Sequence, residues 1–215
     1  MALNKLKFNS LNVTPAASEA IRFNSDADGF ETATAGGSLV KISSTTLSSA
    51  AASISFTSGL TSTYKEYIFM FNNIHPASAS NFTFNLSADS GSNYNVTKTT
   101  SVFYYYHQES GSDAGGGYVT SLDLAQSTAY QPLGNIEADN DTSLSGVLHL
   151  FEPSSTTFVK HFVSRVNVVY PATTDYTSDY YIAGYGNTTS AIDAIDFKMA
   201  SGNIDSGTID MYGVS

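Results

Sequence analysis

From about residue 51 onward, apolar and polar positions alternate in short runs. Ile54 and Phe56 flank Ser55, and Phe82, Phe84 and Leu86 alternate with Thr83 and Asn85. A period of two sends successive side chains to opposite faces of a strand. The same reading predicts strands at residues 66–71, 94–98, 102–106, 144–151, 158–169, 180–185, 192–199 and 208–214. Clusters of Gly, Asn, Ser and Asp separate most of them: Asp89-Ser90-Gly91-Ser92-Asn93, residues 110–117, Asp139-Asn140-Asp141 and Gly186-Asn187. Such clusters are turn chemistry. One short helix is expected at residues 122–129, and no long run has helical period. Eight to ten short strands predict an all-β domain over residues 51–215, an antiparallel β-sandwich of jelly-roll type.

The two ends of the chain read differently. Residues 1–50 carry short apolar pieces between Pro15, Gly29 and Gly36-Gly37, too fragmented to bury a core alone. They predict an extended N-terminal arm or small hairpin that is ordered by contact with a neighbour. Leu6, Phe8, Ile21, Phe23 and Phe30 are its candidate docking residues. At the other end a turn at Ser201-Gly202-Asn203 feeds a last strand, with Ile209 and Met211 on one face and Thr208, Asp210 and Tyr212 on the other. The chain stops three residues after Tyr212, so this strand is expected to close the sheet of a complete module.

Composition narrows the function. Charged residues make up 13% of the 215, against about 25% in an ordinary domain. Ser, Thr, Asn and Gly take their place, which suits hydroxyl-rich strand faces better than helices. The formal charge of −10 and the nine scattered basic residues argue against nucleic-acid binding, which needs clustered Lys and Arg. With no cysteine there is no disulfide framework, thiolate metal site or cysteine nucleophile. Neither a signal-peptide run nor a stretch of membrane-spanning length is present, so no membrane insertion is expected.

Few motifs carry chemistry. Asn24-Ser25-Asp26-Ala27-Asp28-Gly29 has the first half of a calcium-loop spacing, with Asp26 and Asp28 as the carboxylate candidates. The position for the closing bidentate Glu holds Ala35, so a metal-free Asx turn is the better reading, and no metal or cofactor is expected. Glu137-Ala138-Asp139-Asn140-Asp141 reads as a solvated turn. The four histidines, His75, His107, His149 and His161, lack metal-ligand spacing, and His149 and His161 fall on the polar faces of their strands. A glycosidase would need two converging carboxylates. Glu109, Glu137 and Glu152 are formal candidates that nothing in the sequence pairs, so no enzyme is expected. In residues 102–107, Val102, Tyr104 and Tyr106 face one way and Phe103, Tyr105 and His107 the other. Aromatics on both faces mark a surface or subunit contact, or two buried faces of a thick sandwich. Tyr104, Tyr106, Tyr180 and Tyr185 are the candidate glycan- or partner-contacting residues, because Tyr beside Asn and Asp is common on such surfaces.

Three segments carry a resemblance. They are the arm, Phe8-Asn9-Ser10-Leu11-Asn12-Val13-Thr14-Pro15 with residues 21–31; the run Leu148-His149-Leu150-Phe151-Glu152-Pro153 continuing to Phe162; and Ala183-Gly184-Tyr185 through Gly202-Asn203-Ile204-Asp205-Ser206-Gly207-Thr208-Ile209-Asp210-Met211-Tyr212-Gly213. Together they resemble the small β-sandwich virion structural proteins of marine tailed phages, such as those of cyanophages. The resemblance implies an outward-facing capsid-decoration, head-fibre or tail-appendage subunit, made in the host cytoplasm and exposed on the released particle. Its implied partners are other virion proteins and further copies of itself, with a homotrimer expected. A receptor-binding tail-fibre module for host surface glycans and a polysaccharide depolymerase are the alternatives. No catalytic residue is carried over.

Overall fold

The computed structural model describes residues 19–26, 28–34, 39–170 and 175–215. It is all-β, with antiparallel sheets throughout and no helix among the described residues. The described residues before Leu39 form a unit of their own, and Leu39–Val214 form a second.

The first unit is a two-stranded ribbon of β1 (Glu19–Phe23) and β2 (Phe30–Thr34). Phe23 and Phe30 face each other in register, their rings stacked 4.9 Å apart, and Arg22 pairs with Glu31 at 3.0 Å. Ile21, Phe23 and Phe30 remain exposed, Phe23 by 67%. The half calcium loop is the turn of this hairpin. Asn24 Oδ1 accepts the amides of Asp28 and Gly29 at 3.2 Å, and its Nδ2 donates to Asp28 Oδ1 at 2.8 Å. Asn24, Asp28 and Gly29 therefore satisfy one another. Leu6 and Phe8 lie outside the described residues.

The second unit holds β3 (Leu39–Thr46), β4 (Ile54–Phe56), β5 (Glu66–Pro76), β6 (Ser80–Ser87), β7 (Lys98–Gln108), β8 (Ala114–Tyr118), β9 (Gln131–Ile136), β10 (Leu144–Phe151), β11 (Lys160–Tyr170), β12 (Tyr176–Gly186), β13 (Ala194–Met199) and β14 (Ile204–Val214). Eight of these form one sheet in the order β3-β14-β5-β10-β11-β12-β7-β8, and four form another in the order β4-β13-β6-β9. The two sheets meet across a phenylalanine core. Phe69 and Phe71 of β5 and Phe162 of β11 reach Phe56, Phe82, Phe84 and Phe197 of the smaller sheet, with centroids 5.0–5.5 Å apart. Strand β11 shows the period-two logic most clearly: Phe162, Ser164, Val166 and Val168 are buried, and the residues between them are exposed.

The structure revises the sequence reading at five places. The larger unit starts at Leu39 rather than residue 51, because β3 pairs along β14 and Lys41 bridges to Asp210 at 2.8 Å. The last strand closes the sheet from within, running between β3 and β5 rather than along an edge. Residues 94–97 are not strand: they run beside β6, where Asn85 Nδ2 donates to Tyr94 O at 2.6 Å and Val96 N to Leu86 O at 3.4 Å. The helix expected at 122–129 is a loop pinned to the start of β7, with Thr100 N donating to Leu124 O and Lys98 N to Ser127 O. Half of the 110–117 turn cluster is β8, whose Gly115 and Gly116 let the strand lie against the tyrosines of β7. A Cβ on Gly116 would sit 2.2 Å from the Tyr104 carbonyl oxygen.

Candidate functional site

Beyond β10, the large sheet continues through β11, β12, β7 and β8, and both faces of this extension carry aromatics. The face turned toward the core holds a tyrosine row. Antiparallel register puts Tyr180 opposite Tyr104 and Tyr170 opposite Tyr176. Ring centroids are 5.3 Å apart for Tyr104–Tyr180, 6.0 Å for Tyr104–Tyr106, 5.3 Å for Tyr106–Tyr176 and 5.0 Å for Tyr170–Tyr176. Burial pushes the Tyr180 phenol up to about 12, and burial raises Tyr176 and Tyr170 as well. Tyr106 donates to Asp113 at 3.1 Å, and that bond raises its phenol. The hydroxyls of Tyr106, Tyr170, Tyr176 and Tyr180 therefore stay protonated at neutral pH.

Of the four tyrosines chosen from the sequence, Tyr104 and Tyr106 stand half-buried in this row. Tyr180 is only 9% exposed, so it is the floor beneath Tyr104 and not a surface contact. Its period-two position lies between Ser178 and the core residue Ile182, which sets it inward. Tyr185 belongs to the opposite face, near His161 at 6.2 Å and within 3.4 Å of Gln126 Nε2.

The outer face has its own constellation, which the sequence reading left unassigned. Phe103 and Tyr181 stack at 4.9 Å and 6°, and Tyr105 meets Phe103 edge-on at 6.3 Å. Arg165 lies 5.0 Å over the Tyr181 ring and grips Asp179 through Nε at 3.1 Å and Nη2 at 2.6 Å. This guanidinium holds the Asp179 carboxyl below its ordinary value. Phe103, Val163, Tyr105 and Tyr118 are exposed by 38%, 43%, 57% and 56%. Phe103 and Val163 line a shallow, mostly apolar groove of about 420 Å³ that also takes in Val147, Tyr181 and Ala183. The alternation of Phe103 and Tyr105 with Tyr104 and Tyr106 was readable, but which set faces outward depends on which side the smaller sheet covers.

A third cluster lies on the outer side of the smaller sheet. Tyr130 donates to Asp196 at 2.9 Å, Ser55 donates to the same carboxylate at 2.5 Å, and Lys198 Nζ sits 4.2 Å over the Tyr130 ring. These residues come from two strands and a loop, so no local motif announces them.

The formal catalytic candidates are scattered. Glu109, Glu137 and Glu152 occupy turns after β7, β9 and β10, and Glu152 pairs with Lys65 at 3.2 Å. His149 Nδ1 contacts Glu66 at 2.5 Å, and His75 Nε2 contacts the Asp139 carbonyl at 3.1 Å. Among the described residues, no group of three or more His, Asp or Glu side chains is placed to share a metal ion. No family model, curated protein or solved structure matches the chain.

Proposed function

We propose that the chain is a structural, non-enzymatic subunit of a tailed-phage particle, built on a jelly-roll β-sandwich and displayed outward as a capsid-decoration, head-fibre or tail-appendage part. The strand order carries this reading. Leaving aside β7-β8 and β11-β12, the remaining eight strands run β3-β14-β5-β10 in one sheet and β4-β13-β6-β9 in the other. Every consecutive pair among those eight except β6–β9, which are neighbours in the smaller sheet, crosses from one sheet to the other, in keeping with the double Greek-key order of jelly rolls in viral capsid and lectin domains. The two extra hairpins then widen one sheet. A low-charge, hydroxyl-rich surface suits a solvent-facing part, and the exposed set Ile21, Phe23 and Phe30 suits docking on a particle partner. The exposed groove beside Phe103 and Val163 supports self-association, because contiguous apolar surface tends to mark a contact. Mass spectrometry of purified particles tests the assignment: the protein is expected among virion components, and its absence from them overturns the reading. Light scattering of the full-length protein is expected to give a homo-oligomer, a trimer in this reading.

The tyrosine row favours a second reading, a receptor-binding module for host surface glycans. Sugar rings stack on tyrosine faces, and protonated phenols donate to their hydroxyls. A glycan array comparing the wild type with Tyr104→Ala and Tyr106→Ala separates recognition from decoration. Release of reducing ends from host polysaccharide would instead identify a depolymerase.

A further inference from the structure

Strand β7 begins with Lys98, a fully buried lysine. Its neighbours carry no charge. Nζ donates to the side-chain Oδ1 of Asn85 and to the Val96 carbonyl at 2.8 Å. Asn85, on β6, is itself fully buried, and its carboxamide is held at every polar atom. Oδ1 accepts the Leu86 amide at 2.9 Å as well as Nζ, and Nδ2 donates to the carbonyls of Tyr94 at 2.6 Å and Thr128 at 3.0 Å. A buried ammonium without a carboxylate is disfavoured by desolvation. Burial accordingly pushes Lys98 down to about 7, so a large share of it is the neutral, nucleophilic amine at neutral pH.

We propose that Lys98 and Asn85 join in an intramolecular isopeptide bond. The amine nitrogen attacks Asn85 Cγ, and the bond from Cγ to Nδ2 breaks. One proton passes from the lysine nitrogen to Nδ2, which leaves as ammonia. An amine and a primary amide thus become a secondary amide and ammonia, with nothing oxidised or reduced and no co-reactant. The Leu86 amide donor at Oδ1 stabilises the negative charge that develops there during attack. Fixed contact between the two groups supplies the proximity that makes such a reaction effectively unimolecular. Asp196, the register partner of Asn85 on β13, takes no part in the transfer, because its carboxylate is held by Ser55 and Tyr130.

The site also fits the architecture. Asn85 belongs to the four-stranded sheet and Lys98 to the eight-stranded one. The bond therefore staples the two sheets at their shared margin, in a chain that has no cysteine for a disulfide. A cross-link of this kind restricts the unfolded chain as a disulfide does.

Intact-mass measurement of the denatured full-length protein, after prolonged incubation at mildly alkaline pH, tests the proposal. The expected mass is one ammonia below the sequence mass, and protease digestion is expected to release a branched peptide joining the Asn85 and Lys98 segments. Lys98→Arg keeps the positive charge and is expected to restore the full sequence mass. A wild-type protein at full sequence mass overturns the proposal. So does an ammonia loss that persists in Lys98→Arg, because it would then arise at another asparagine.

Discussion

Lys160 is the second fully buried lysine, two strands from Lys98 across Gly186. Its Nζ donates to the carbonyls of Phe158 at 2.6 Å and Thr188 at 3.3 Å, and burial lowers its pKa. The folded chain therefore holds this proton less tightly than the unfolded chain does. The cost of burying the ammonium is present in full at low pH. It falls as pH rises from the lowered folded value toward the ordinary lysine value of about 10.4, where the unfolded chain still binds the proton. Lys160→Met is expected to remove that alkaline gain and to leave neutral-pH stability equal or improved, since apolar replacement of a buried charge often does so. Urea midpoints across the pH range check both parts. Phe197 is the opposite case, a side chain whose whole role is packing: it touches Phe56, Phe69, Phe71, Phe82 and Phe84 at 5.3–6.4 Å. Phe197→Ala is expected to cost about 3–5 kcal/mol in the same assay, with the transition still cooperative.

Strands with intact alternation were legible, and strands interrupted by special residues were not. β4 and β10 fall where Ile54-Ser55-Phe56 and the 144–151 run place them, β5 and β12 extend beyond their apolar centres, and β11 runs over 160–170 against the expected 158–169. β9 was missed because Pro132 and Gly134 break its apolar pattern, although Leu133 and Ile136 are fully buried. β3 was assigned to the arm because an edge strand needs apolar residues on only one face, and its Val40 and Ile42 read as a fragment. β8 was missed because its glycines are turn formers anywhere else. At the candidate site, the parity of residues 102–107 was legible. The inward position of Tyr180 and the Asp196–Tyr130–Ser55 cluster were not, because both depend on pairing between distant strands. Gly116→Val tests the account of β8. Its side chain would collide with the Tyr104 carbonyl and the Tyr105 ring. Hydrogen exchange is expected to show β8 losing protection while the amides of β5 and β14 keep theirs. Protection spread evenly over the whole domain would mean that the strand tolerates a side chain there.

At the scale of the whole unit, the long-range pairing of β3 with β14 sets the folding behaviour. Leu39 and Val214 are register partners, so the first and last strands of the unit lie side by side. Strand β14 also fills the gap between β3 and β5, which makes the core sheet incomplete until the end of the chain has docked. Closing so long a loop costs entropy before any contact repays it, and sheets dominated by non-local pairs fold slowly, over about milliseconds to seconds. Joining Val214 to Leu39 with a short flexible linker converts this pairing into a local hairpin. New ends can be opened at the exposed turn Ser110-Gly111-Ser112, since such loop tips tolerate a break. This permuted chain is expected to keep the β-rich circular dichroism spectrum and cooperative unfolding of the original, and to refold faster in stopped-flow fluorescence of its tyrosines. An unchanged refolding rate would place the slow step elsewhere, in the crossings between the two sheets, and a permutant that failed to fold would show that the β7–β8 hairpin has to stay continuous.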